Sequence, residues 1–392
     1  MQTVSEHDVI VVGGGPGGAT TATALAQRGH DVLLVDRHTF PRDKICGDAI
    51  SQGCIRIMND LGMSARIEEA VARGEFYQLD GMRLIGPSGY TLQAEFSHGV
   101  NGEKSYVAPR VFFDAVIQQH AVDSGAKFLQ AEVKAPLIEN GTVVGVQARE
   151  NGEVKAYRSR VVVGADGVTS TIMRALRPEV EQHVDKHRAV ALRAYVKGME
   201  LYPHEVEFFL YEEILPGYAW IFPAGDGIAN IGLGMRLDRF RSLKKNLKKM
   251  LQEFLEMPDI RARIPADTDI RDVAIWQLNF GSQKRLRHAF DGALLVGDAA
   301  GFINPMTGGG IHNALISGQL AAETIDDALR AGDVSRHGLK IYEQRCDDEM
   351  WEGMRKSYLY QRVLLNYPTL VDFLIRYMGR HGAVAKTFLS KL

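Results

Sequence analysis

Short apolar runs and alternating stretches divide the chain into elements. Asp8-Val9-Ile10-Val11-Val12 is continuously apolar after its first residue and predicts a buried strand, and the alanine- and threonine-rich segment beyond Gly18 predicts a helix. Val32-Leu33-Leu34-Val35 predicts a second strand, ending in Asp36. The same signature returns in Val161-Val162-Val163, which runs into Gly164-Ala165-Asp166-Gly167, and in Ala293-Leu294-Leu295-Val296, which runs into Gly297-Asp298. Helices are expected to begin at Arg110, to carry Ser170 and Arg174, and to begin again near Ile311 after Gly308-Gly309-Gly310. Between these segments the pattern changes to alternation. Met82 to Ile85 and Tyr90 to Ala94 flank Gly86-Pro87-Ser88-Gly89 as a hairpin, and Ala189 to Val196 and Val206 to Tyr211 read as strands before a helix near 239–256. Residues 340–392 carry apolar clusters with interspersed arginine and lysine, an amphipathic helical pattern. That helix either packs on the body, or closes a cavity or rests on a membrane surface.

The turn after the first strand reads Gly13-Gly14-Gly15-Pro16-Gly17-Gly18, a GxGxxG set between strand and helix. Gly13 permits the tight turn, Gly15 lets the backbone approach a pyrophosphate, and Gly18 lets helix and strand pack closely. The helix start beyond Pro16 and Gly17 offers free N–H groups and the positive end of its dipole. Asp36, at the end of the second strand, stands where an acid binds ribose hydroxyls.

Composition narrows the function classes. Lysine and arginine number 46 against 48 acidic residues, a net charge of −2, which gives no basis for nucleic-acid binding. Cys46, Cys54 and Cys346 are too few and too scattered for a disulfide framework or a zinc site, so no metal is expected and a reducing, cytoplasmic setting is. The N-terminus carries no signal-peptide pattern and no stretch of 18 apolar residues occurs, so a soluble or at most peripheral protein is expected. A chain of 392 residues exceeds the usual single domain. The expected fold is α/β, with a Rossmann-like nucleotide domain assembled from 1–75, 105–180 and 285–335. It is interleaved with a mostly antiparallel β-sheet substrate domain from 76–104 and 181–284, and followed by a helical segment over 336–392.

The GADG turn at 164–167 and the GDAA segment at 297–300 with its following glycine cluster resemble the FAD-binding signatures of the para-hydroxybenzoate hydroxylase-like flavoproteins. That resemblance implies FAD. It places Asp298 near the ribityl or pyrophosphate region, the backbone of Gly308, Gly309, Gly310 and Ile311 near the isoalloxazine ring, and Arg110 on the cofactor. It adds Arg37, Val133 and Asp166 to the cofactor set. Arg110 also reads as a solvated first-turn arginine, and Asp166 as a simple turn cap.

Two further segments resemble the geranylgeranyl reductase family. Pro216-Gly217-Tyr218-Ala219-Trp220-Ile221-Phe222-Pro223 is similar to its PxxYxWxFP stretch, and Lys44-Ile45-Cys46-Gly47 to its Lys-x-Cys-Gly segment beside the flavin; Gly301 stands where aromatic hydroxylases carry histidine. Tyr218 and Trp220, two apart in a strand, share a face, either as an aromatic wall for a greasy substrate or as sheet core. Cys46 by itself reads either as a buried, inert cysteine or as a thiol whose pKa is lowered by the neighbouring Lys44 and Arg42; the resemblance favours a site beside the ring and leaves its role open between proton donor, substrate wall and flavin contact, while Cys54 and Cys346 read as structural. The resemblance implies an FAD-dependent reductase of isoprenoid carbon–carbon double bonds in a prenylated lipid, quinone or pigment precursor. Its electrons would come from NAD(P)H or a small redox protein, and the catalytic candidates are Cys46, Tyr218 and Trp220. The alternatives are an FAD monooxygenase, a halogenase, whose tryptophan-rich motif is not matched here, and a non-catalytic flavin sensor. The oligomeric state is open.

Overall fold

The four apolar runs come together in one sheet. The computed structural model describes residues 3–96, 99–178, 185–266, 268–283 and 286–381. Strand Thr3–Val12 lies at the centre, parallel to Val32–Asp36 on one side and Glu153–Gly164 on the other. Lys127–Gln130 extends the sheet parallel to the second strand, and Ala293–Leu295 extends it beyond the third. Val9 to Val11 and Val161 to Val163 are fully buried, because helices cover both faces of a parallel sheet and alternation is lost. Helix Pro16–Ala26 packs along helix Ile311–Ala331, and the contact is close because glycines face each other. A Cβ on Gly318 would stand 2.6 Å from the Gly17 carbonyl oxygen, and Thr21 Oγ1 donates to the carbonyls of Gly17 at 2.8 Å and Gly318 at 3.2 Å.

The alternating segments form a second sheet of seven strands, in the order Ile270–Asn279, Arg188–Lys197, Ile228–Arg236, Gly217–Pro223, Glu205–Phe209, Gly81–Ile85, Thr91–Glu95. All neighbours are antiparallel except Glu205–Phe209 with Gly81–Ile85. The period of two divides its faces. Ala219, Ile221, Ile231 and Leu233 pack under helix Leu247–Leu255, whereas Tyr218, Trp220 and Phe222 point the other way, toward the first sheet. The single helix expected near 239–256 is two, Leu237–Ser242 and Leu247–Leu255. Lys244 sits at φ 48° between them, and the Asn246 side chain accepts the Lys249 N–H at 3.1 Å as a new N-cap.

The C-terminal segment is helical up to Arg380. Leu365, Val371, Ile375 and Met378 pack against Leu84, Leu92, Leu210 and Leu215 of the second sheet and its loops. Its last residues, 382–392, with Lys386 and Lys391 of the amphipathic pattern, lie outside the described residues. Among the described residues no helix is long and apolar enough to cross a membrane.

Candidate active site

The glycine turn has the geometry its spacing calls for. Gly13 adopts φ 106°, and a Cβ there would overlap the Ala165 carbonyl oxygen. Pro16 occupies the first turn of its helix, Gly15 is the N-cap, and no side chain caps the free N–H groups. Helix Ile311–Ala331 likewise starts at Gly310 without a side-chain cap. Two helix N-termini with unspent donors therefore flank one space, a setting suited to phosphate and to an electron-rich ring edge. Asp36 sits at the strand end, where its Oδ2 accepts the Gly14 N–H at 2.8 Å and its Oδ1 the His38 N–H at 2.9 Å.

Between the two sheets lies a cavity that opens to solvent, lined mostly by apolar side chains. It brings together Pro16, Gly17, Lys44, Cys46, Gly47, Arg110, Tyr218, Trp220, Asp298, Gly308, Gly310 and Ile311, drawn from five separate parts of the sequence. Gly13, Gly15, Gly18, Asp36, Asp166 and Gly309 do not line it. Arg37 is exposed, with its Nε donating to His38, and Val133 borders a separate shallow groove with Thr171 and Arg174. Asp166 accepts from Ser170 Oγ and from the Thr171 N–H at 2.6 Å, as a helix cap does.

Arg110 is not solvated. It is 2% exposed, and its Nε and Nη2 reach both oxygens of Asp114 at 2.6 Å, while Arg42 meets the same carboxylate at 2.6 Å. Lys44 Nζ pairs with Asp298 Oδ2 at 3.1 Å, tying the cysteine segment to the start of the GDAA turn. Gly47 is pressed against the aromatic strand, since a Cβ there would lie 3.2 Å from the Phe222 ring. Trp220 Nε1 donates to Asn230 Oδ1 at 2.9 Å, and Asn230 Nδ2 donates to the Cys46 carbonyl at 2.9 Å and to Asp48 Oδ2 at 2.7 Å. Tyr195 OH donates to the same Asp48 oxygen at 2.5 Å. One buried amide thus fixes both the indole and the cysteine backbone.

A family model described as FAD binding domain matches residues 6–357. Digeranylgeranylglycerophospholipid reductase 1 of Methanopyrus kandleri is 33% identical, over 88% of this chain and 87% of its own. The chain belongs to the geranylgeranyl reductase family. The digeranylgeranylglycerophospholipid reductase of Thermoplasma acidophilum is 31% identical over 86% of this chain and 82% of its own. A geranylgeranyl bacteriochlorophyll reductase-like structure from the same organism superposes with a TM-score of 0.83 at 27% identity, covering 95% of this chain and 91% of that one. A flavin-dependent brominase, at 21% identity and TM-score 0.76 over 95% of this chain and 93% of its own, shares the architecture alone. As a geranylgeranyl reductase family member the chain is an FAD-dependent oxidoreductase. The uncapped helix starts and the glycine cradle fit that cofactor.

The electrostatics correct one expectation. Lys44 and Arg42 do not produce a reactive thiolate at Cys46. Burial and the adjacent Asp48 carboxylate push its pKa up, against smaller opposing effects of Arg110, the Asp48 backbone N–H and Lys44. The thiol therefore keeps its proton at neutral pH. Burial likewise pushes the Asp48 carboxyl up to about 6, against the lowering effects of Tyr195, Asn230, Arg193 and Arg110. Cys54 and Cys346 are buried and raised to about 11 and about 12, inert as expected. Asp48, Asn230, Tyr195 and Arg193 were not singled out by sequence reasoning. Asp48 directly follows the Lys-x-Cys-Gly segment and Asn230 lies seven residues beyond Pro223, but only the fold joins them.

Asp48 has a consequence for stability. Its folded pKa lies above the unfolded value, so between about pH 4 and 6 the folded state holds a proton that the unfolded chain releases, and stability falls as pH rises through that window. The loss is about 3 kcal/mol once the group is ionised. Asn tolerates the φ of 64° at this position. Urea unfolding of Asp48→Asn at pH 4 and pH 7 should show the variant gaining on the native protein by that order; parallel pH profiles would discard the assignment.

Proposed function

We propose that this protein reduces isoprenoid carbon–carbon double bonds of a prenylated lipid or lipid precursor. The observation that carries the reading is the placement of a protonated thiol, Cys46, and an aromatic wall, Tyr218 and Trp220, around the cavity that also receives the helix start at Ile311. Reduced FAD, when bound, supplies a hydride to one carbon of the alkene. The remaining work falls to the chain. Trp220 and Tyr218 hold the prenyl unit flat and stabilise positive charge developing on it by cation–π attraction. Cys46 delivers the proton to the second carbon. Asn230 holds the indole and the Cys46 carbonyl in register. Electrons reach the flavin from an external donor, NAD(P)H or a small redox protein.

An apolar surface that a lipid could meet stands on the C-terminal helices. Leu359, Val363, Tyr367 and Phe373 are exposed by 46–61% on the C-terminal helices, while the neighbouring Gln361 and Leu365 line the cavity. Peripheral contact with a bilayer through this face would let a prenyl chain pass directly inward.

The deciding experiment is anaerobic. The dithionite-reduced holoprotein is mixed with geranylgeranyl diphosphate or a geranylgeranylated lipid while flavin absorbance and product mass are followed. Reoxidation with a gain of about two mass units per bond, one hydride and one proton, supports the reading. A flavin that stays reduced until oxygen is admitted, and only then consumes substrate, replaces it with a monooxygenase. Trp220→Ala should keep its flavin but turn over about tenfold more slowly or worse in the same assay, the scale of a desolvated cation–π contact; an unchanged rate removes the indole from the mechanism.

A further inference from the structure

The cavity also carries charge outside the residues expected to hold the flavin. Arg236, the last residue of strand Ile228–Arg236, is 2% exposed and lines the cavity. Its Nε donates to Asp238 Oδ1 at 2.5 Å, but Nη1, also buried, has no hydrogen-bond partner among the described residues. Arg362 Nη1 takes the other Asp238 oxygen at 2.8 Å. Two guanidiniums thus share one carboxylate, and neither has a second acidic partner among the described residues. Gln361 lines the same region, 4% exposed. Its Nε2 donates to the Pro305 carbonyl at 2.5 Å, and its Oε1, without a partner, is left to accept from an O–H. Buried guanidinium N–H groups are normally satisfied, because leaving them bare is costly.

The sheet register gives the distance from the reacting end. Trp220 pairs with Gly232, so Arg236 lies four residues farther along the same strand, roughly 13 Å at ~3.3 Å per residue. Tyr218 and Gly234 stand in the row between. An apolar chain laid along that face would have one end at the indole and the other at the arginine.

We propose that Arg236 binds the phosphate of an anionic prenyl substrate, with Gln361 accepting a hydroxyl beside it, so that the charged end is held at the C-terminal side of the cavity and the hydrocarbon points to the flavin. This rests on the reading of the protein as a prenyl reductase and adds which end of the substrate is recognised and by what. The phosphate can belong to a free prenyl diphosphate or to a prenylated glycerol phosphate.

The test compares geranylgeranyl diphosphate with uncharged geranylgeraniol in the native holoenzyme, Arg236→Gln and Arg236→Lys. In Arg236→Gln the ratio of kcat/KM for diphosphate over alcohol should fall tenfold or more, the loss of a charge-assisted contact, and Arg236→Lys should recover part of it. An unchanged ratio in Arg236→Gln overturns the proposal. Binding of geranylgeranyl diphosphate to the oxidised holoprotein, read by calorimetry, decides the question even if neither compound is reduced. A tenfold weaker Kd in Arg236→Gln upholds the anion site while the reductase reading fails, and an equal Kd overturns the site. Competition separates the sources: inhibition by pyrophosphate points to the free diphosphate, inhibition by glycerol phosphate to the lipid headgroup, and inhibition by neither overturns the site.

Discussion

Cys46→Ser is expected to slow alkene reduction by about 10²-fold or more while leaving FAD bound, the low end of what a positioned general acid contributes. Cys46 lines the cavity with its proton retained, because burial and Asp48 both oppose ionisation. Serine keeps the size and the backbone contacts, including the carbonyl held by Asn230, and replaces the thiol with a far weaker acid. The pH dependence has a defined sign. Since the thiol pKa is raised, the native enzyme should lose activity only on the alkaline side, as the thiol ionises, and the serine variant should lack that limb. Single-turnover reoxidation of the reduced flavin across pH 6 to 10, with Cys54→Ser as a control for a buried thiol away from the cavity, reads both effects. A serine variant within roughly twofold of native would show that the proton comes from elsewhere.

Gly18→Ala should give a colourless protein. A Cβ at this position would overlap the carbonyl oxygen of Gly13 and lie 3.1 Å from the Ala165 side chain. Neither can yield, because Gly13 holds φ 106° against the Ala165 backbone and its N–H donates to the Val35 carbonyl at 2.7 Å. The methyl must force the helix start away from the strand, and with it the uncapped N–H donors that would meet a pyrophosphate there. Flavin content after purification and recovery of absorbance near 450 nm on adding excess FAD measure the effect. An affinity loss of about 10²-fold is expected, equivalent to about 2.7 kcal/mol. Gly29→Ala, at a glycine with φ 87° but open space around it, controls for backbone strain alone.

These two positions illustrate what the sequence discloses. The glycine turn is local: strand, turn, helix and acid follow within 30 residues, and each step has its own periodicity, so the nucleotide half was readable from pattern. The second sheet was readable as alternation, and the shared face of Tyr218 and Trp220 follows from their spacing. What escaped notice is contact between distant segments. Asn230 reaches Cys46 across 184 residues and Asp48 across 182, and no propensity or spacing encodes that meeting. The protonation of Cys46 has the same origin. Lys44 and Arg42 are near in sequence, but Lys44 turns to Asp298 and Arg42 to Asp114, which leaves Asp48 as the dominant charge. The ion pair of Arg110 with Asp114 was within reach, because a four-residue separation on a helix places the two side chains together.

The order of the parts along the chain also matters for how the protein is made. Every strand of both sheets and the helix beginning at Ile311 precede Gln361 and Leu365, which wall one side of the cavity, and the Val371, Ile375 and Met378 contacts that anchor them. During synthesis the glycine turns therefore leave the ribosome first and this side of the cavity last. A nascent chain therefore presents both of its glycine turns before the C-terminal helices add their side of the cavity.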